Sequence, residues 1–208
     1  MTSDTAGTPP CADAAKPILI GLCGWSRAGK DTIAQYLERE HSFHTTAFAE
    51  PLRAMLAESW QLFPEQLHGA AKDEPIATLQ NRKPRDFMQS LGDWYLAAFG
   101  PRALIANVAD IWRDLQDPKA EAPGLVVSDC RTTAEIEFVQ ESGGVIWWVG
   151  RPDTGSINQH RTEHVDSLQA ALHRPGVDVD LQNTGTVHDL ISQVENALAA
   201  ARRREVAA

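Results

Sequence analysis

Residues 24–32 read Gly24-Trp-Ser-Arg-Ala-Gly-Lys-Asp-Thr32, with Pro17-Ile-Leu-Ile-Gly-Leu22 just before them and Ile33-Ala-Gln-Tyr-Leu37 just after. The leading apolar run suits a buried strand, and Ile33, Tyr36 and Leu37 share one face at helical spacing. The order is therefore strand, glycine-bracketed loop ending in lysine, then helix, with the G-x-x-x-x-G-K spacing of a phosphate-binding loop. Gly24 and Gly29 permit dihedrals that a side chain would block, so successive N–H groups can turn inward around phosphate oxygens. The helix start adds partial positive charge, and Lys30 supplies a mobile cation for the β- and γ-phosphates of a nucleoside triphosphate. Gly24, Arg27, Ala28, Gly29, Lys30, Asp31 and Thr32 are the expected triphosphate seat.

Outward from this loop, strand-like and helix-like segments alternate, which predicts an α/β layered fold on a mainly parallel sheet. Five strands are expected: Ile18–Cys23, Phe43–Phe48, Leu125–Ser128, Val145–Val149 and Val177–Leu181. Helices are expected over Asp31–Glu40, Pro51–Trp60, Arg85–Phe99, Arg102–Leu115, Thr133–Glu141 and Val187–Arg203, with a short one at His164–His173. Pro51, Pro84 and Pro101 suit helix starts, where a missing N–H costs nothing. Phe63–Lys83 is polar and irregular apart from a turn at Pro64–Leu67. Ligands in such sheets sit at the carboxyl ends of the strands. Two insertions, residues 50–115 and 150–173, are thus expected to overhang the nucleotide, one holding an acceptor and the other closing as a lid. Residues 1–16 are small and polar and read as a disordered leader to a single domain over 17–208.

A chain of 208 residues with formal charge −9 can bury a core but is ill suited to general nucleic-acid binding, which leans on excess Lys and Arg. Local arginines can still dominate the field inside a cleft, so small anionic substrates fit. Cys11, Cys23 and Cys130 show no paired spacing, and no apolar run reaches membrane-spanning length. A soluble protein of the reducing cytoplasm, with neither nucleic acid nor membrane as partner, is the expectation. The composition leaves a homodimer open.

Asp31 departs from the Ser or Thr that usually follows the loop lysine and binds Mg²⁺ through its hydroxyl. Two readings stand: Asp31 holds Mg²⁺, directly or through water, or it complements the helix N-terminus. Asp129 follows the strand Leu125–Ser128 beside the loop and is the natural second Mg²⁺ partner, against a role as a helix cap. Lys30, Asp129 and Arg131 form the expected catalytic group, Arg131 as a clamp on the transferring phosphoryl group. Arg85 and Gln89 lie one turn apart on a helix, with Met88 and Leu91 on another face. A monophosphate needs bidentate cations and a base needs an amide that both donates and accepts, which Arg85 and Gln89 offer. Arg53 is a further phosphate ligand, and Arg151 and Arg161 suit a lid that swings cations over the reaction. His160 and His164 lack a third ligand at zinc spacing. Trp147 and Trp148 read as strand core and Trp94 as helix packing.

Together these segments resemble the bacteriophage-type deoxynucleoside monophosphate kinases of the P-loop nucleoside monophosphate kinase group. The likeness is carried by Arg27–Thr32, Phe48-Ala-Glu-Pro-Leu-Arg53 and Arg85-Asp-Phe-Met-Gln-Ser-Leu-Gly92. Val127-Ser-Asp-Cys-Arg131 with Glu135, His160–Glu163 and Asn183–Thr186 extend it in order. The resemblance implies a three-layer P-loop kinase fold, ATP as donor, Mg²⁺ as cofactor and a deoxynucleoside 5′-monophosphate as acceptor. It implies that Asn183 and Gly185 lie near the donor adenine, and it puts an acidic residue, usually Asp, where Glu50 stands. The animal-type phosphomevalonate kinases look similar around Gly29-Lys-Asp31 and Ser128–Arg131, but the Arg85–Gly92 helix favours a nucleotide acceptor. A nucleotide-binding switch that transfers nothing is the alternative outside the kinases; the N-K-x-D guanine signature is absent.

Overall fold

The computed structural model describes residues 16–68, 71–117, 119–120, 122–152 and 177–206. The leader up to residue 15, most of the lid segment, the helix expected at His164–His173, and Arg161, His160 and His164 lie outside the described residues.

Five strands form one fully parallel sheet: β1 (Ile18–Gly24), β2 (His44–Thr46), β3 (Gly124–Cys130), β4 (Val145–Gly150) and β5 (Val177–Gln182), in the spatial order β2-β3-β1-β4-β5. The loop-bearing strand is thus central, with both neighbours reached by crossovers. β1 is buried at every residue, as a strand covered on both faces must be. Its side chains alternate between two cores. Ile18, Ile20 and Leu22 join Ile33 and Leu37 of α1 (Lys30–His41) and Leu190, Val194 and Leu198 of α7 (Val187–Val206) on one face. Leu19 and Cys23 join the opposite face, where α5 (Ile105–Leu115) and α6 (Thr133–Glu141) lay down Val108, Trp112, Ile136 and Val139. Sheet between two helical layers is the expected three-layer fold.

The insertion after β2 is a small helical body docked on the sheet core through Leu52. It holds α2 (Glu50–Trp60), α3 (Pro64–Leu67) and α4 (Pro84–Phe99), around a separate cluster of Leu56, Leu62, Leu67 and Leu79. The stretch expected to be irregular contains two 3₁₀ turns, Ala71–Asp73 and Ala77–Leu79. β2 is shorter than expected, since its pairing with β3 ends at Thr46 and the chain turns at Ala47 to enter α2. Residues 102–104 form turns, so α5 starts at Ile105 rather than Arg102. Trp147 and Trp148 are core, but Trp94 is 59% exposed and touches only the neighbouring rings of Tyr95 and Phe99 among its ring contacts, contrary to its expected packing role. Cys23 and Cys130, distant in sequence, are register partners on β1 and β3; both are buried free thiols, and the contact with Cys23 together with burial pushes the Cys130 thiol up.

Candidate active site

The carboxyl end of β1 runs straight into the glycine loop. Gly24 has φ 134°, and a Cβ there would stand 2.3 Å from the Val149 carbonyl oxygen of β4, so strand packing and dihedral both demand glycine. Gly29 has φ 112° and directly precedes α1, where a Cβ would meet the Asn183 amide at 2.7 Å. No side chain caps α1, so its first amides are left facing the loop's hollow. Ala28 is fully buried and acts as the loop's packing anchor.

Lys30 is only 8% exposed and curls across this hollow, its Nζ donating to the carbonyls of Gly24 and Trp25 at 2.7 Å each. Burial first, then the charge of Arg131, bring its pKa down to about 8. A buried ammonium held only by two carbonyls, beside an arginine, is a site short of negative charge.

Two cavities meet above it. The larger, about 890 Å³, runs along the loop and is lined by Arg27, Gly29, Lys30, Asp31 and Thr32 and, on the far wall, by Arg151, Asn183 and Gly185. The smaller, about 110 Å³, lies between α2, α4 and the end of β3, with Leu52, Arg85, Met88, Gln89, Leu96 and Glu135 in its wall. Arg53, Lys72, Asp129 and Arg131 line both. Apart from Gly24, Ala28 and Arg161, the last outside the described residues, the residues expected for donor and acceptor therefore line two adjoining spaces with a shared, mainly cationic boundary.

Several expected residues have neighbours that sequence spacing does not disclose. Asp129 lies inside β3, which continues to Cys130, and accepts from the amides of Phe48 at 2.7 Å and Ala49 at 3.1 Å. It thereby secures the entry to α2, whereas the cap of α6 is Thr132, which accepts from the Glu135 amide. Arg53 is clamped by Glu50 at 2.7 Å and lies 4.0 Å from Asp129. Asn183, expected beside an adenine, donates its amide to the Ala28 carbonyl at 2.8 Å and so braces the loop itself. Met88, expected on a face apart from Arg85 and Gln89, lines the smaller cavity with them, because a turn of helix that close to a narrow pocket presents adjacent residues to it. Gln89 has a buried Nε2 with no hydrogen-bond partner.

Three residues escaped the motif reading or entered it only by resemblance. Asp73 accepts from Arg85 through both carboxylate oxygens and from Arg27 at 3.1 Å, and these arginines, Arg85 foremost, hold its pKa down near 2. Lys72 beside it projects into the shared boundary. Glu135, 7% exposed, takes the amides of Arg131 at 2.7 Å and Thr132 at 2.9 Å on one oxygen. Burial, followed by the charge of Asp129, raises its pKa to about 7. The Thr132-x-x-Glu135 capping-box spacing was the available sequence signal for Glu135; Lys72 and Asp73 sit in an aperiodic stretch and had none.

No group of three or more His, Cys, Asp or Glu forms a metal cage among the described residues. Mg²⁺ does not require one, since it keeps waters and phosphate oxygens and takes one or two carboxylates. Asp31 and Asp129 line the same cleft as Lys30, so hard oxygen donors stand where such an ion would meet phosphates.

A glycine loop for a polyphosphate, opening across a cationic wall onto a second pocket, defines the P-loop kinase class. No family model matches the chain. A protein of Acanthamoeba polyphaga mimivirus, provisionally described as a deoxynucleotide monophosphate kinase, is 30% identical over 188 residues, covering 85% of this chain and 94% of that protein. The chain belongs to that family of deoxynucleotide monophosphate kinases. Solved structures with a loose likeness include a shikimate kinase from Aquifex aeolicus (12% identity, TM-score 0.45, 92% of this chain and 100% of that one). A gluconokinase from Sinorhizobium meliloti is comparable (16%, TM-score 0.42, 90% and 95%). Likenesses of that size carry no weight beside the sheet order and loop geometry given above. No helix among the described residues is long and apolar enough to cross a membrane.

Proposed function

We propose that the protein transfers the γ-phosphoryl group of ATP to a deoxynucleoside 5′-monophosphate, giving the diphosphate and ADP. The observation that carries this is the pair of adjoining cavities whose common wall is Arg53, Lys72, Asp129 and Arg131. A switch that only binds a nucleotide has no use for a second pocket with its own arginine. The name of the mimiviral relative supports the same acceptor class.

In this reading the triphosphate lies on the amides of Gly24–Lys30, and Lys30 leaves the Gly24 and Trp25 carbonyls for the β- and γ-oxygens. Asp31 and Asp129 would hold Mg²⁺, which would supply charge neutralisation at the phosphates. The acceptor phosphate is held by Arg85 and Arg53, and its base lies against Met88, Leu96 and the amide of Gln89. That amide has a buried donor awaiting a partner, which supports base recognition there. An acceptor phosphate oxygen attacks the γ-phosphorus, and the bond to the β–γ bridging oxygen breaks with its electron pair remaining on ADP. A phosphate monoester is already anionic at neutral pH, so catalysis is positioning and charge stabilisation. Arg131 reaches the transferring group from the end of β3; Arg151 and Arg161 are proposed to approach from the lid.

The test is a coupled assay with ATP, Mg²⁺ and each deoxynucleoside monophosphate, run beside the ribonucleotides and phosphomevalonate. Diphosphate formation from at least one deoxynucleotide is expected. Slow ATP hydrolysis unaffected by every acceptor would reject the reading in favour of a switch, and turnover of phosphomevalonate alone would redirect it.

A further inference from the structure

Lys72 has no place in the mechanism just given, yet it occupies an unusual position. It is half-buried, on the 3₁₀ turn Ala71–Asp73, and lines both cavities. The turn is tied down on either side: Asp73 accepts from Arg27 of the glycine loop and from Arg85 of α4. This cross-link bridges the donor and acceptor walls, and it carries the neighbouring Lys72 into the space between them.

The cations around it differ in how they are balanced. Arg27 and Arg85 face Asp73, and Arg53 faces Glu50. Among the described residues no carboxylate lies within ion-pair distance of the Lys72 ammonium. Arg85, Arg131 and Arg53 act against its charge and Asp31 at the loop favours it; burial and then Arg85 push its pKa down. An ammonium kept partly out of water among like charges is unfavourable unless an anion is meant to join it. A solvated loop lysine would extend into water and would not line the junction of two pockets.

We propose that Lys72 is a further catalytic residue whose ammonium contacts the phosphoryl group in transit between the two nucleotides. This rests on the kinase reading above. Lys30 and Lys72 then grip the group from opposite sides, Lys30 from the loop and Lys72 from the insertion. Because charge on the equatorial oxygens is shared between donor and acceptor only during transfer, the contact with Lys72 acts chiefly on kcat.

The experiment compares wild type with Lys72→Met and Lys72→Arg under saturating ATP and acceptor, with thermal melting as a control. Lys72→Met is expected to lower kcat on the order of 100-fold with both KM values within about 3-fold, and Lys72→Arg to restore at least a tenth of wild-type kcat. If Lys72→Met also melts early, Lys72→Gln takes its place, and binding of a bridged dinucleotide pentaphosphate is read at a temperature where the variant is folded. The bridged ligand should lose on the order of 30-fold in affinity while ATP alone changes by less than about 3-fold. A kcat within about 3-fold of wild type, equal losses for ATP and the bridged ligand, or no rescue by arginine would overturn the proposal. Absence of transfer by the wild type itself would instead overturn the kinase reading and the proposal with it.

Discussion

The donor and acceptor sides proposed for this molecule are built in different ways. The donor side is made of main chain: one contiguous loop on the central strand, in which two glycines set the curvature and a single lysine closes the ring. The acceptor side is made of side chains drawn from α2, the turn at Ala71–Asp73, α4 and the end of β3, around a cavity of about 110 Å³. A main-chain cradle recognises phosphate whatever it is attached to. A side-chain pocket sets which molecule may present its phosphate, and it can be retuned one residue at a time. In the proposed reading the larger cleft is accordingly the general part, and the smaller pocket is where specificity resides.

The sharpest way to break this contrast is to remove the donor lysine. Lys30→Met should reduce kcat by about 10³-fold or more while the melting temperature stays near wild type, since the desolvation cost of burying the ammonium offsets the two carbonyl hydrogen bonds lost with it. Near-normal turnover would show that the loop is not the donor seat. Arg85→Ala acts on the other side, and should raise the acceptor KM by roughly 30- to 100-fold with the ATP KM within about 3-fold. Steady-state kinetics in both substrates would read this, and equal effects would erase the division. Gln89→Leu should change the ratio of kcat/KM between the best and worst deoxynucleotide acceptor by about 10-fold, leaving the ATP KM alone. An unchanged acceptor ranking would remove Gln89 from base recognition.

The smallest expected effect concerns Glu135. Its carboxyl has a pKa raised from 4.5 to about 7, by burial above all. Such a group costs nothing below its unfolded value, where it is neutral in both states. It costs stability progressively as pH rises from about 4.5 through about 7, on the order of 3 kcal/mol at most. Both amides it accepts converge on one oxygen, so the glutamine carbonyl can keep the cap. Glu135→Gln should therefore gain in melting temperature over wild type between pH 5 and 8; a constant difference across that range would show that the carboxyl does not titrate there.

The same contrast explains what the chain disclosed before its structure. The loop, the central strand and α1 are contiguous, and glycine spacing followed by an apolar stripe reports them directly. The parallel sheet followed because its strands are apolar on both faces, as in Ile18–Cys23 and Val145–Val149. Arg85 and Gln89 were legible together because helical spacing brings i and i+4 to one face. Lys72 and Asp73 were not, since nothing periodic marks a tethered turn, and their partners Arg27 and Arg85 lie 46 and 12 residues from Asp73. Asp129 was recognised by its place after an apolar strand, yet its bonds to the amides of Phe48 and Ala49 depend on the β2–β3 pairing. Trp94 shows the converse error: an aromatic on a helix was expected to pack, but α4 turns that position outward.

The most direct test is a crystal structure with a bridged adenosine–deoxynucleoside pentaphosphate. Phosphates are expected on the amides of Gly24–Lys30, continuing past Lys72 and Arg131 to Arg85, with the acceptor base beside Gln89. A ligand bound elsewhere, with the loop amides untouched and the small cavity unfilled, would contradict it.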